Sequence, residues 1–220
     1  MPANEKPTTG NQPLTMNFRM KDLSSRERYA WMIASIVPRP IAFVSTISEN
    51  GISNLAPFSF FNGVSAQPPV VSVAIGPRRG GGDKDTIANV RSTGELVVNV
   101  VSEAMAEAMV KTSGDYEADV DEFDLAGFAK VPSDAVKPFR VKESPLAFEC
   151  GLLQIVRVGE PATSLILAEV LVVHAADEIL TDGLPDAQKF RPLARLGGIA
   201  YARLGDRIEI PRPVVAKAGE

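Results

Sequence analysis

The sequence predicts a mainly β protein with short helices, its strands closed into a barrel rather than laid out as a doubly wound sheet. Three observations carry that expectation: short apolar, β-branched runs recur along the chain, turn residues separate them, and only two helical stretches interrupt them.

The first strand is expected over residues 41–47, Ile-Ala-Phe-Val-Ser-Thr-Ile. Asn50-Gly51 follows, and then a second run over 52–56. An Asn-Gly pair tolerates positive φ at both central positions of a tight turn, so a hairpin is expected here. Residues 70–75 are almost wholly apolar and suit a strand buried on both faces. Further strands are expected over 95–101, 146–158 and 165–173. A helix over 86–91 follows Asp83 and Asp85, either of which can cap its free N–H groups, and Gly94 ends it. A second helix over 103–111 starts after Ser102 and stops near Gly114. It carries Met105 and Met109 one turn apart, a spacing that reads as core packing. The acidic stretch 115–124 lacks the spacing of a calcium loop and is expected as a solvated loop.

A chain of 220 residues sustains one domain with a sizeable core. Its 45% apolar and 23% charged residues are ordinary for a globular protein. The net charge of −4 disfavours a general nucleic-acid binder, which needs a basic face, but leaves room for a local basic pocket. Cys150 is the only cysteine, which rules out an internal disulfide and suits a cytoplasmic setting. His174 is the only histidine, so no multi-histidine metal site can form, and no metal is expected. No apolar run approaches the ~18–20 residues that cross a bilayer, and no membrane partner is expected. Residues 1–16 are polar with three prolines and read as a flexible tail, 17–210 as the folded domain, and 211–220 as a Pro-containing tail.

The common catalytic signatures are absent: no phosphate-binding P-loop, dinucleotide glycine fingerprint, zinc-protease helix or nucleophile elbow occurs. His174 closes an apolar strand, where a structural or edge role is expected. Cys150 sits in the strand Phe148-Glu149-Cys150-Gly151-Leu152 with no cationic neighbour, and reads as a buried, inert thiol. Without a catalytic set, the chemistry is expected to belong to a cofactor, and no catalytic side chain is named.

Two stretches fit a cofactor with a phosphate tail. Arg78-Arg79-Gly80-Gly81-Gly82-Asp83-Lys84-Asp85-Thr86 leads into the first helix, whose N-terminus attracts anions. Lys84 supplies a compact charge, Thr86 a hydroxyl, and Arg78 a fork for two oxygens. The three glycines either let backbone approach a ligand or form a flexible loop, and the loop is the expectation. Ser45-Thr46 and the stretch Asn54-Leu55-Ala56-Pro57-Phe58-Ser59-Phe60-Phe61-Asn62 combine hydroxyls, an amide and aromatic rings. Such a mixture suits a ligand with an apolar ring and a polar rim, and equally suits turns and core aromatics.

The succession Arg39-Pro40-Ile41-Ala42-Phe43-Val44-Ser45-Thr46, Asn50-Gly51, Asn54 to Phe61, Pro68-Pro69-Val70-Val71, Lys84-Asp85-Thr86-Ile87-Ala88-Asn89, Gly94-Glu95-Leu96-Val97-Val98-Asn99, Asp121-Glu122-Phe123, Glu149-Cys150 and Arg195-Leu196-Gly197-Gly198 resembles the flavin-reductase-like, FMN-binding split-barrel family. The resemblance spans about residues 29–201. It implies a homodimer of Greek-key split β-barrels with FMN near the subunit interface. Carried over residue by residue, it implies that Ser45, Thr46, Asn54, Ala56 and Ser59 line the flavin ring and ribityl side, with Phe60 packed nearby. Lys84, Asp85, Thr86 and Arg78 gather at the phosphate end, Asp85 capping the helix or meeting a ribityl hydroxyl. Arg39 is read as fixing the chain's entry into the first strand, and Arg195-Leu196-Gly197-Gly198 as a turn outside the site.

The activity so implied is an oxidoreductase in which FMN accepts a hydride from NADH or NADPH and passes electrons to free flavin, iron or a partner protein. Hydride transfer of this kind needs placement rather than a side-chain base. Two alternatives stand beside it: a flavoredoxin-like FMN electron carrier reduced by a protein, and a non-enzymatic flavin-binding module.

Overall fold

The structure is a computed structural model in which residues 15–213 are described; most of the expected N-terminal tail and the end of the C-terminal one lie outside them. Seven strands build one antiparallel sheet: β1 (Ala42–Ile47), β2 (Ser53–Phe58), β3 (Phe61–Ala66), β4 (Pro69–Ile75), β5 (Glu95–Val100), β6 (Leu146–Val158) and β7 (Thr163–Ala175). Their spatial order is β2-β1-β5-β6-β7-β4-β3. The chain leaves β4 near one end of the sheet and returns as β5 between β1 and β6, the long Greek-key step. Among the described residues no ladder joins β2 to β3, so the barrel is split.

Period-2 alternation sorts the side chains. In β1, Ala42 and Val44 face a core shared with Val73, Leu96, Val98, Cys150, Ile166 and Ala168. Phe43 points the other way, into a second core with Met105, Met109, Phe123, Phe128 and Leu193. Both faces of β1 are therefore buried, and the strand reads as a continuous apolar run. Helix α2 (Asp85–Thr93) plugs the first core with Ile87 and Val90. It ends at Gly94, whose φ of 72° is the left-handed cap the sequence anticipates.

Several expectations need correction. The β1–β2 connection is a five-residue loop: Gly51 N–H donates to Ser48 O, Ile52 N–H donates to the Ser48 hydroxyl, and only Gly51 has positive φ. Asn50 is thus not half of a two-residue turn; the loop is built around a four-residue turn closed by glycine. The triple glycine is an ordered turn with φ of 94°, 101° and 85°, closed by Arg78 N–H to Gly82 O. Three consecutive positive φ values explain the glycines where side-chain space does not, since a Cβ at each would meet nothing within 4 Å.

The acidic stretch is not simply a solvated loop. It runs into helix α4 (Glu122–Ala126), capped by the Asp121 carboxylate accepting from Phe123 N–H, and Glu122 and Phe123 are buried. The methionine helix splits into a 3₁₀ turn (Glu103–Met105) and α3 (Ala106–Lys111), with Met105 and Met109 in the core as expected. Helix α1 (Ser25–Ser35) and strand β3 were not anticipated. α1 starts with a complete capping box between Ser24 and Glu27, yet none of its residues is buried. Arg39 holds its far end: the guanidinium donates to Ile33 O (2.6 Å), Ile36 O (2.5 Å), Leu196 O (2.8 Å) and the Ser59 hydroxyl (3.3 Å). No helix among the described residues is long and apolar enough to cross a membrane.

Candidate functional site

A small cleft of about 70 Å³ lies at the N-terminus of α2. Asn54, Ala56, Pro57 and Phe58 of β2 form one wall, and Arg78, Lys84, Asp85 and Thr86 form a second. Residues 112–116 after α3 and Glu122 of α4 complete it. Six of the ten expected site residues therefore share one cleft: Asn54, Ala56, Arg78, Lys84, Asp85 and Thr86.

The register explains the wall. Thr46 pairs with Asn54 across β1 and β2, and both side chains reach toward α2. Asn54 Nδ2 donates to Thr86 Oγ1 at 3.0 Å, and Asn89 Nδ2 donates to Thr46 Oγ1 at 3.0 Å. These two bonds seat the helix against the sheet. Lys84 is the residue preceding α2, and its side chain makes no capping bond. Neither Asp83 nor Asp85 holds the capping position. Asp83 instead accepts from Arg91 (2.7 Å) and Arg157 (2.8 Å), which holds its carboxyl below the usual aspartate range. Asp85 is the first helical residue and pairs with Arg78.

Four expected residues lie elsewhere. Thr46 is buried behind the wall, engaged by Asn89. Ser45 is fully buried on the opposite face of β1, donating to Phe139 O at 2.6 Å and accepting from Asn99. Its hydroxyl is consumed by the core. Ser59 accepts from Arg39, and Phe60 lies under the Arg39 guanidinium at 5.8 Å, on the surface beside α1.

Pro57 and Phe58 belong to the stretch the sequence marks but not to its expected site residues, and the 112–116 segment and Glu122 were not expected there at all. Glu122 is 6% exposed and accepts from Leu55 N–H at 2.9 Å. Burial pushes its carboxyl above the usual glutamate range; the Leu55 bond opposes the shift, and the nearby Asp85 and Asp121 add to it. The Asp121-Glu122-Phe123 triplet was a visible signal, but the surrounding carboxylates disguised it.

The remaining reactive residues sit outside the cleft. Burial, helped by Glu149, pushes the Cys150 thiol up to about 12, so it stays protonated and inert. His174 Nε2 lies 2.6 Å from Glu149 Oε1 and forms a structural pair at the far part of the β6–β7 hairpin.

This architecture recurs in known proteins. The sequence profile of the flavin reductase like domain matches residues 34–194. An uncharacterized protein of Halalkalibacterium halodurans is 35% identical over 209 residues, 93% of this chain and all of that one. Nitrilotriacetate monooxygenase component B from Bacillus cereus superposes with a TM-score of 0.87 at 30% identity, covering 90% of this chain and 100% of the other. The 2-nitrobenzoate 2-nitroreductase of Pseudomonas fluorescens superposes at 0.82, also with 30% identity, covering 93% and 100%. From its Greek-key split barrel and from these matches, the chain belongs to the flavin-reductase-like family.

Proposed function

We propose that the protein is an FMN-dependent oxidoreductase that takes reducing equivalents from NADH or NADPH and works as a cytoplasmic homodimer. The observation that carries this reading is the convergence of Arg78, Lys84 and Thr86 at the start of α2, in one cleft with Asn54 and Ala56. The donor set suits a phosphate monoester: two cations, a hydroxyl and the positive end of a nine-residue helix. Asn54 and Thr86, already bonded to each other, offer an amide and a hydroxyl to the polar part of the ligand, while Pro57 and Phe58 offer apolar surface to its ring. FMN held there would supply hydride acceptance from a reduced nicotinamide and onward electron transfer. The chain's own task is to hold the ring, neutralise the phosphate and limit water.

Dimerisation is supported by the surface around Arg39. Tyr29 (62% exposed), Trp31, Met32 and Ile36 of the α1 region lie in the open. A second copy of the chain is the simplest cover for apolar surface of this extent.

The test is the visible spectrum of purified protein mixed with FMN and then with NADH or NADPH, alongside light scattering of the FMN-loaded form. Retained flavin bands that bleach with either nicotinamide are expected, as is a dimer. Bleaching only by a partner protein would favour an electron carrier, and no retained flavin would sink the reading.

A further inference from the structure

The cations of the cleft are already spoken for. Arg78 is paired with Asp85, a residue fixed in the first turn of α2. Lys84 Nζ lies 3.6 Å from Asp115 Oδ1, and Arg79 Nε lies 3.9 Å from Asp115 Oδ2. Asp115 thus bridges two cations that flank the α2 N-terminus, from a different element of the chain.

That element is a short strap. Thr112 and Ser113 tie its base to α3, their hydroxyls donating to Met109 O (2.9 Å) and Val110 O (2.6 Å). The Tyr116 hydroxyl folds back to donate to Lys111 O at 2.7 Å. The Tyr116 ring then lies so near Gly114 that a Cβ there would sit 2.7 Å from it, which explains the glycine. Between these anchors, among the described residues, the Asp115 side chain is held by two long ion pairs, one of them to the almost fully exposed Arg79, and pairs of that kind are weak.

Resting on the flavin reading above, we infer that Asp115 is a resident anion in the phosphate end of the cleft, holding Lys84 until a phosphate dianion displaces it, an exchange that FMN can make and uncharged riboflavin cannot. The difference in charge drives the exchange. A phosphate monoester carries about −1.5 to −2 near neutral pH and three acceptor oxygens, against one charge on Asp115. It out-competes the carboxylate for Lys84, the cation of the pair that lines the cleft. Riboflavin has no group that can make the exchange, so the strap stays closed over the cations. Asp85 pairs with Arg78 rather than with Lys84, so it is Asp115 that occupies the Lys84 cation.

The experiment is a fluorescence titration of the full chain and of the variants Asp115→Asn and Lys84→Ala with FMN and with riboflavin, plus amide hydrogen exchange of residues 112–116. Loss of two exposed ion pairs that oppose binding raises the FMN affinity of Asp115→Asn about 2- to 10-fold. Riboflavin affinity stays unchanged, and Lys84→Ala weakens FMN. Exchange in 112–116 rises when the wild type binds FMN and not when it meets riboflavin. Equal or weaker FMN binding by Asp115→Asn, or an equal gain for riboflavin, overturns the inference and leaves the flavin site standing. A chain that takes up FMN in none of the three forms overturns the flavin reading, and the inference with it.

Discussion

Two glutamates with little exposed surface, Glu149 in β6 and Glu122 at the cleft, show how hydrogen-bond partners can outweigh burial in setting the state of a carboxylate. Glu149 is 0% exposed and Glu122 only 6%. Burial alone would raise both. Glu149 nevertheless stays below the usual range, because it accepts from Asp134 N–H (2.8 Å), Ala135 N–H (2.6 Å) and His174 (2.6 Å). Glu122 has the Leu55 N–H and two neighbouring carboxylates, and moves up. The first carboxylate is a structural clasp that holds Asp134 and Ala135 on the barrel. The second is an under-compensated group in the wall of a cleft, the kind of site where function tolerates electrostatic cost.

Breaking the clasp has the largest expected effect. Glu149→Ala leaves two backbone donors, His174 and Arg140 without their acceptor, and should destabilise the fold by about 3–5 kcal/mol in chemical denaturation. His174→Ala removes one of the partners and should cost about 1–3 kcal/mol in the same measurement. A pH series sharpens the contrast. Glu149, lowered in the folded state, contributes stability above the ordinary glutamate range, and this is lost as pH falls through its depressed value. Glu122, raised in the folded state, contributes below that range, and this is lost as pH rises through its elevated value. Unfolding free energies of Glu149→Gln and Glu122→Gln should therefore approach wild type at the acid end and part from it in opposite directions towards neutral pH, Glu149→Gln becoming less stable and Glu122→Gln equal or more stable. The smallest effect is Glu122→Gln at neutral pH, within about 1 kcal/mol of wild type or slightly more stable, because an amide still accepts from Leu55 N–H. A loss above ~2 kcal/mol in that variant would make Glu122 a clasp like Glu149.

How much of this was legible follows from what each element buries. β1, β4 and β6 could be read because their apolar residues face cores on regular spacing. α1 buries nothing, so it offers no apolar period, although Ser24-Ser25-Arg26-Glu27 spells its capping box. β3 is largely exposed and mixes Gly63 with polar residues, which reads as a loop. Ser45 illustrates the limit at the site. A small hydroxyl beside Thr46 invites a ligand role, but its partner is a carbonyl 94 residues away, a pairing that only the tertiary fold creates. Lys84 and Thr86 needed no such information, since a cation and a hydroxyl at the start of a helix are local features.

Arg39 sets an order of events during synthesis. It binds carbonyls at the end of α1 and at Leu196, positions on either side of the whole barrel sequence. Its contact with Leu196 spans 157 residues. At roughly 5–20 residues per second, a ribosome needs on the order of 10–30 s to deliver the second half of that anchor. The bonds from Arg39 to Ile33, Ile36 and Ser59 can form early, and the anchor is completed only when Leu196 emerges, close to the end of synthesis.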